Sequence, residues 1–442
     1  MNLTHLLAAH RASGRSVRVA LIGAGKFGSM FLAQVPTIPG LDVPVIADLD
    51  PARARAACAA VGWDAARIAR TRFVERGADA CAAEDVDVVV EATGSPAAGI
   101  AHALAAIEAR RAIVMVNVEA NVLAGPLLAQ KARERGVVYS MAYGDQPALI
   151  VELVDWARAA GFQVVAAGKG TKYLPAYHTV TPDDVWSHYG LSAEAAKRAG
   201  MNPQMFNSFL DGTKSALEMA AVANATGLDV PEDGLGFPPC GAEHLPLALR
   251  PRAAGGQLAH EGMVEVISSV ERDGRPVIGN LRWGVYVVFK ATNDYAADCF
   301  RQYGLATDPS GRYAAMHRPY HLIGLELSIS VLHAALNGQP TGMTREWRGD
   351  VVAVAKRPLG SGEMLDGEGG YTVYGKLVPA ARSLRERALP IGLAHGVRLR
   401  RAVPAGAILS TEDVTLDESL LAVRVRREML EAAGATPAPV PA

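Results

Sequence analysis

Cysteine is scarce in this chain: Cys58, Cys81, Cys240 and Cys299 are the only four in 442 residues, and no CxxC spacing occurs. That excludes a zinc knuckle and a disulfide-stapled scaffold, and it fits a reducing cytoplasm. Net charge is nearly absent too, with 44 Lys and Arg against 45 Asp and Glu. The balance removes the electrostatic basis for partnership with nucleic acid or an anionic membrane surface. No run approaches the roughly 20 apolar residues of a membrane span, and residues 1–16 lack the apolar core of a signal peptide. They read as a short helix packed on the next domain, whereas the Pro/Ala-rich tail ATPAPVPA reads as disordered. Internal repeats are missing as well. What the chain has is apolar material, at 50% of residues, and a length that predicts two or three domains.

The organising stretch is 17–50, VRVALIGAGKFGSMFLAQVPTIPGLDVPVIADLD. An apolar run ends in Gly23-x-Gly25-x-x-Gly28, a helical segment follows, and a second apolar run ends at Asp48, twenty residues beyond Gly28. The first glycine permits a tight turn out of a strand. The second lets the backbone approach a pyrophosphate, and the third lets helix and strand pack closely. The helix N-terminus, with Lys26 and Phe27 in its first turn, would face the phosphates with free N–H groups. Asp48 stands where a carboxylate accepts ribose hydroxyls.

Strands and helices then alternate. DVDVVVEA runs into Thr93-Gly94-Ser95-Pro96, AIVMV emerges at Asn117 and Glu119, and VVYSMA follows another helix. This pattern predicts an α/β doubly wound parallel sheet with Gly25, Asp48, Thr93, Gly94, Asn117 and Glu119 along its cofactor edge. Beyond Ala142 the spacing predicts an amphipathic helix, a strand FQVVAAG ending in a loop with Lys169 and Lys172, and a helix capped by Asp211 that carries Lys214 and Glu218 on one face. MVEVISSVERDG and WGVYVVFKAT read as antiparallel strands, and residues 316–336 as one long helix returning to the first domain. The last hundred residues read as a separate β-rich unit whose AVPAGAILSTEDV resembles SAF modules. The boundaries expected are 1–150 with the returning helix, 151–340 and 345–435.

Hydride transfer to a carbonyl requires a group that protonates or polarises the oxygen. Lysines in apolar clefts serve, so Lys169, Lys172 and Lys214 are the candidates, with Asp211 and Glu218 to orient or shuttle the proton. His317, His321 and Glu326 are weaker candidates for lining a cleft. Glu243 and His244 would need Asp183 or Asp184 to hold a divalent metal, and no spacing demands it.

The ordered segments LIGAGKFG, EATGSP, VNVEANVLAGP, AYGDQP, AGKGTKY and DGTKSALEMAAVANATG resemble the homoserine dehydrogenase superfamily. Within it the chain most resembles the DRL oxidoreductases, deoxyxylulose phosphate reductoisomerase-like proteins with a C-terminal SAF module. The resemblance implies a Rossmann domain, an α+β catalytic domain and NADP or NAD as cofactor, with magnesium or manganese an open question. It further implies a small polyhydroxylated, phosphorylated carbonyl substrate, such as deoxyxylulose phosphate converted to methylerythritol phosphate in isoprenoid synthesis, and a homo-oligomer. Alternatives are a dehydrogenase of another hydroxy acid or sugar acid, and a non-catalytic sensor of cofactor or carbohydrate. Homoserine itself fits poorly, because Asn117-Val118-Glu119 places an acid where that family has a lysine. Asp48 favours NAD, and Arg53 on the following helix suits the extra phosphate of NADP.

Overall fold

The computed structural model describes residues 2–198 and 200–435; the tail expected to be disordered falls, from 436 onward, outside them. The chain divides into two compact units. The first comprises the described residues of Met1–Leu149, His321–Arg345 and Leu420–Ala442. Its strands are β1 (Val17–Ile22), β2 (Leu41–Ala47), β3 (Arg72–Val74), β4 (Val88–Glu91), β5 (Ala112–Met115) and β6 (Tyr139–Met141). They form one parallel sheet in the order β3-β2-β1-β4-β5-β6. Strand order reverses between β1 and β4, the point at which doubly wound sheets bind their ligands.

Continuous runs such as VVVE are buried along their whole length, as a sheet covered by helices on both faces requires. Register pairs Ile22 with both Ala47 and Glu91, and Glu91 with Met115. The residues that follow, Gly23, Asp48, Ala92 and Val116, therefore leave the sheet at one level. Helix Pro51–Ala60 begins as its sequence dictates: the Asp50 carboxylate accepts from the Arg53 amide at 3.0 Å, and Pro51 occupies the first turn.

Where the periodicity predicts one long helix over 316–336, the structure has three different elements. Tyr313–Arg318 is a strand of the second unit, turns follow, and only Ser328–Leu332 is α-helical before a π-turn over His333–Asn337. Every residue of that strand is in register with a residue of a neighbouring strand, and tertiary pairing overrides helical spacing. Residues 321–345 do join the first unit, with Leu327, Val331 and Leu332 in its core.

The second unit comprises Ile150–Tyr320 and Glu346–Ser419. Its main sheet contains β7 (Gln163–Thr171), β8 (Met263–Ser268), β9 (Val285–Lys290) and β10 (Tyr313–Arg318), in the order β10-β9-β7-β8. The two segments expected as antiparallel strands of a second sheet, β8 and β9, do run in opposite directions in this sheet, with β7 between them, parallel to β8 and antiparallel to β9. β11 (Gly349–Ala355) pairs with a later strand, Val373–Pro379, and both lie against helix Thr213–Thr226. That helix is buried between two sheets, which its alanines permit. For this reason residues 346–419 pack as part of the second unit, where the sequence suggests an independent module over 345–435. The final helix, Leu421–Ala435, packs in the first unit on the helix Val118–Glu134, where Arg426 donates to the Leu123 carbonyl at 3.1 Å. Among the described residues no helix is long and apolar enough to cross a membrane.

Candidate functional site

The glycine loop of the first unit shows a separate steric reason for each glycine. Gly23 has φ +95°, and a Cβ there would lie 2.7 Å from the Ala92 carbonyl oxygen. A Cβ on Gly28 would lie 2.3 Å from the Gly23 carbonyl oxygen, so helix Lys26–Gln34 sits directly on the turn. Around Gly25 a Cβ would meet nothing within 4 Å. Packing does not demand a glycine there; close approach of a ligand does. No side chain caps the helix that Gly25 opens, Lys26 is exposed and Phe27 packs against the core.

Asp48 is buried and ordered by three donors: the Ala24 amide at 2.9 Å, the Asp50 amide at 3.0 Å and Arg53 at 2.7 Å. Burial alone would raise its pKa, but the Asp50 and Ala24 amides and the Arg53 guanidinium outweigh it and hold the carboxyl below its ordinary value. A charged Asp48 therefore fixes the glycine loop, while the exposed Arg53 stands beside it. Thr93 donates to the buried Glu91 through its amide and its hydroxyl, and the exposed Gly94 follows at φ +72°. Asn117 caps helix Val118–Glu134, accepting from the Ala120 amide at 2.9 Å and donating to the Ser95 carbonyl at 2.8 Å. Glu119 lies in the first turn of that helix, where a carboxylate complements the dipole.

In the second unit Lys169 is not on a loop. Gly168-Lys169-Gly170 lies inside β7, and a Cβ on Gly168 would fall 1.7 Å from the Glu265 carbonyl oxygen. These glycines serve close strand packing instead of a turn. Lys169 forms an almost completely buried ion pair with Glu218. Asp211 caps no helix as the residue before its first turn, since Gly212 holds that position. Its carboxylate nevertheless accepts from the Thr213 amide at 3.0 Å. The other oxygen lies 2.8 Å from Lys356 Nζ, and that ammonium also donates to the Val180 and Gly370 carbonyls at 2.8 Å. Burial raises the Asp211 pKa, opposed by Lys356 and Thr213.

His178 completes this cluster. Its Nδ1 lies 2.7 Å from the Asp211 carbonyl oxygen, which fixes the proton there and leaves Nε2 to accept from Tyr173 at 2.9 Å. Burial depresses its pKa, keeping the ring neutral. Lys172, half-buried, donates to the His188 carbonyl at 2.5 Å, and burial followed by repulsion from Arg282 lowers its pKa. Lys214 is half-buried in the first turn of its helix, the least enclosed residue of that helix.

Sequence reasoning misses Lys356 and Glu265. Lys356 ends the apolar run VVAVA, and that isolated charge was the available signal. Glu265 on β8 accepts from the amides of Val266 at 2.8 Å, Gly236 at 3.0 Å and Phe237 at 3.3 Å, yet burial pushes it up to about 7. Between its ordinary value of about 4.5 and about 7, only the unfolded chain releases this proton. Stability therefore falls as pH rises through that window, by about 3 kcal/mol, and is fully present below it. Urea midpoints from about pH 4.5 to pH 8 check this: Glu265→Gln should lose that part of the decline, and parallel profiles would contradict it.

Among the described residues no group of three or more His, Cys, Asp or Glu stands together as a metal site. Glu243, His244, Asp183 and Asp184 are thus not gathered around an ion, and Asp183 instead accepts from the Tyr371 hydroxyl at 2.8 Å. His317 lies on β10 in the second unit, whereas His321 and Glu326 belong to the first.

Residues 144–327 match the oxidoreductase DRL catalytic-domain family. An inositol 2-dehydrogenase of Acidothermus cellulolyticus is 37% identical over 131 residues, 29% of this chain and 36% of that protein. A 1-deoxy-D-xylulose 5-phosphate reductoisomerase of Heliobacterium modesticaldum is 36% identical over 114 residues, 25% of this chain and 29% of that protein. The chain thus spans about a third of the length of the curated relatives it matches. Among solved structures, a probable dehydrogenase from Thermotoga maritima is 13% identical, with 73% of this chain and 90% of that one covered at a TM-score of 0.39.

Proposed function

We propose that this chain is an NAD(P)-dependent oxidoreductase that reduces a small polyhydroxylated, phosphorylated carbonyl compound. The observation that carries this reading is the space kept open at Gly25 in front of an uncapped helix, within a sheet whose order reverses beside it. When bound there, the nicotinamide cofactor supplies the hydride. Gly23, Gly25, Lys26, Phe27 and Gly28 hold its pyrophosphate, with Asp48, Thr93, Gly94, Asn117 and Glu119 along the same strand ends. Arg53 favours NADP, since an exposed guanidinium binds a ribose phosphate that Asp48 alone would repel.

Lys172 is the proton donor to the carbonyl oxygen, because its lowered pKa brings an ammonium closer to neutral working pH. Lys214 binds the substrate's anionic group. Lys169 and Glu218 hold a proton in a buried pair, while Asp211, fixed by Lys356, positions the start of the helix that carries Lys214. Four free thiols suit a reducing cytoplasm.

The sharpest form of the proposal is reduction of deoxyxylulose 5-phosphate to methylerythritol 4-phosphate, a step of isoprenoid synthesis. Steady-state assays with NADPH and NADH test it. Turnover is expected, and Arg53→Ala should raise KM for NADPH about tenfold with KM for NADH unchanged. Absence of turnover with deoxyxylulose phosphate, with or without added magnesium or manganese, rejects this substrate. Absence across a panel of phosphorylated ketoses and aldoses rejects the enzyme class.

A further inference from the structure

At the opposite end of the first unit's strands from the glycine loop lies a cleft of about 1040 Å³. It runs beneath the first residues of β1, β2 and β5 and the approach to β6, so one six-residue strand, about 20 Å, separates it from the cofactor edge. Its floor is apolar, made by Val17, Val43, Pro44 and Ala112, and its walls are crowded with arginine. Arg18 is satisfied by a bidentate pair with Asp87 at 2.7 and 3.1 Å. Arg67 and Arg70 share a single carboxylate, Asp42, each at 3.8 Å. Arg15, Arg110 and Arg111 also line the cleft, and among the described residues none of the three has an ion-pair partner.

Two further observations show that these guanidiniums are held there. Arg110 has φ +56°, in the position after a helix end where glycine is normal, so the backbone accepts strain to keep an arginine. Arg111 Nε is buried without a hydrogen-bond partner. Six guanidiniums face two carboxylates in a chain whose overall charge is −1. Such a concentration of like charge is relieved by an anion.

We propose that this cleft binds a small organic polyphosphate, its phosphates on the arginine walls and its apolar part on the Val17–Pro44 floor. Guanidinium forks match phosphate oxygens bidentately, and the volume is at the upper end of ordinary small-molecule sites. The site is independent of the glycine loop, so cofactor binding and this binding stand or fall separately.

Calorimetric titration with ADP, and with inorganic pyrophosphate as the probe lacking an apolar part, tests it. The intact chain should bind one ADP at this site more tightly than pyrophosphate, with affinity falling as salt is raised. Arg110→Gly removes a charge at a position whose backbone favours glycine, and Arg70→Ser removes an exposed one, so folding is not at risk. Each should weaken ADP about tenfold, with affinity for NADPH unchanged. ADP binding that ignores both substitutions, as binding at the glycine loop alone would, overturns the proposal. So does the absence of binding up to about 1 mM, or capture of a DNA duplex by these arginines in place of ADP.

Discussion

Lys169→Met should destabilise the protein by about 3–5 kcal/mol, because it leaves the Glu218 carboxylate buried and unpaired between two sheets. The double variant Lys169→Met, Glu218→Leu removes both charges and should recover stability to within about 2 kcal/mol of the parent. Neither variant should turn over substrate. Chemical denaturation and steady-state assay of the same preparations separate the two roles. A folded, fully active double variant would show that the pair only packs the core. A single variant as stable as the parent would show that water reaches Glu218. The same experiment on Asp211 would be less clean, since Lys356 also satisfies two backbone carbonyls that any replacement would orphan.

The second large effect is expected at Gly28. An alanine methyl would stand 2.3 Å from the Gly23 carbonyl oxygen and 3.3 Å from Leu21. A backbone oxygen cannot swing aside, so helix Lys26–Gln34 must move off the turn. A loss of about 2 kcal/mol and of about hundredfold in cofactor affinity should follow. Gly25→Ala is the counterpart. Its methyl meets no protein atom, so thermal stability should stay within about 1 °C while cofactor affinity still falls at least about tenfold. Equal affinities in Gly25→Ala and the parent would mean that nothing approaches that backbone.

These contrasts show which parts of the molecule its sequence makes legible. The Asp50 cap and the seat of helix Lys26–Gln34 on the Gly23 turn follow from local rules, because each is completed within a few positions, and the alternation of strands and helices predicts the parallel sheet. Gly168-Lys169-Gly170 looks like a turn for the same reason, since glycine usually interrupts strands. What needs glycine there is the carbonyl of Glu265 on a neighbouring strand, which no local pattern reveals. Residues 316–336 carry helical spacing, yet pairing with β9 claims the first of them. The partners of Asp211 and Glu218 were equally out of view: one comes from 145 positions further along, at Lys356, and the other from inside β7. The β-rich segment 346–419 has the grammar of a separate module, but the second face of helix Thr213–Thr226 would be bare without it. Residues that look like surface chemistry in the sequence are thus drawn inward, and Lys172 and Lys214 are left as the more accessible lysines.

Fluorescence titration of the intact chain with NADPH and NADH addresses the central claim most directly. One saturable site per chain is expected, with Kd on the order of 10 µM for the preferred cofactor and a Kd at least about tenfold higher in Gly25→Ala. No saturation by either nucleotide up to about 1 mM would contradict the account.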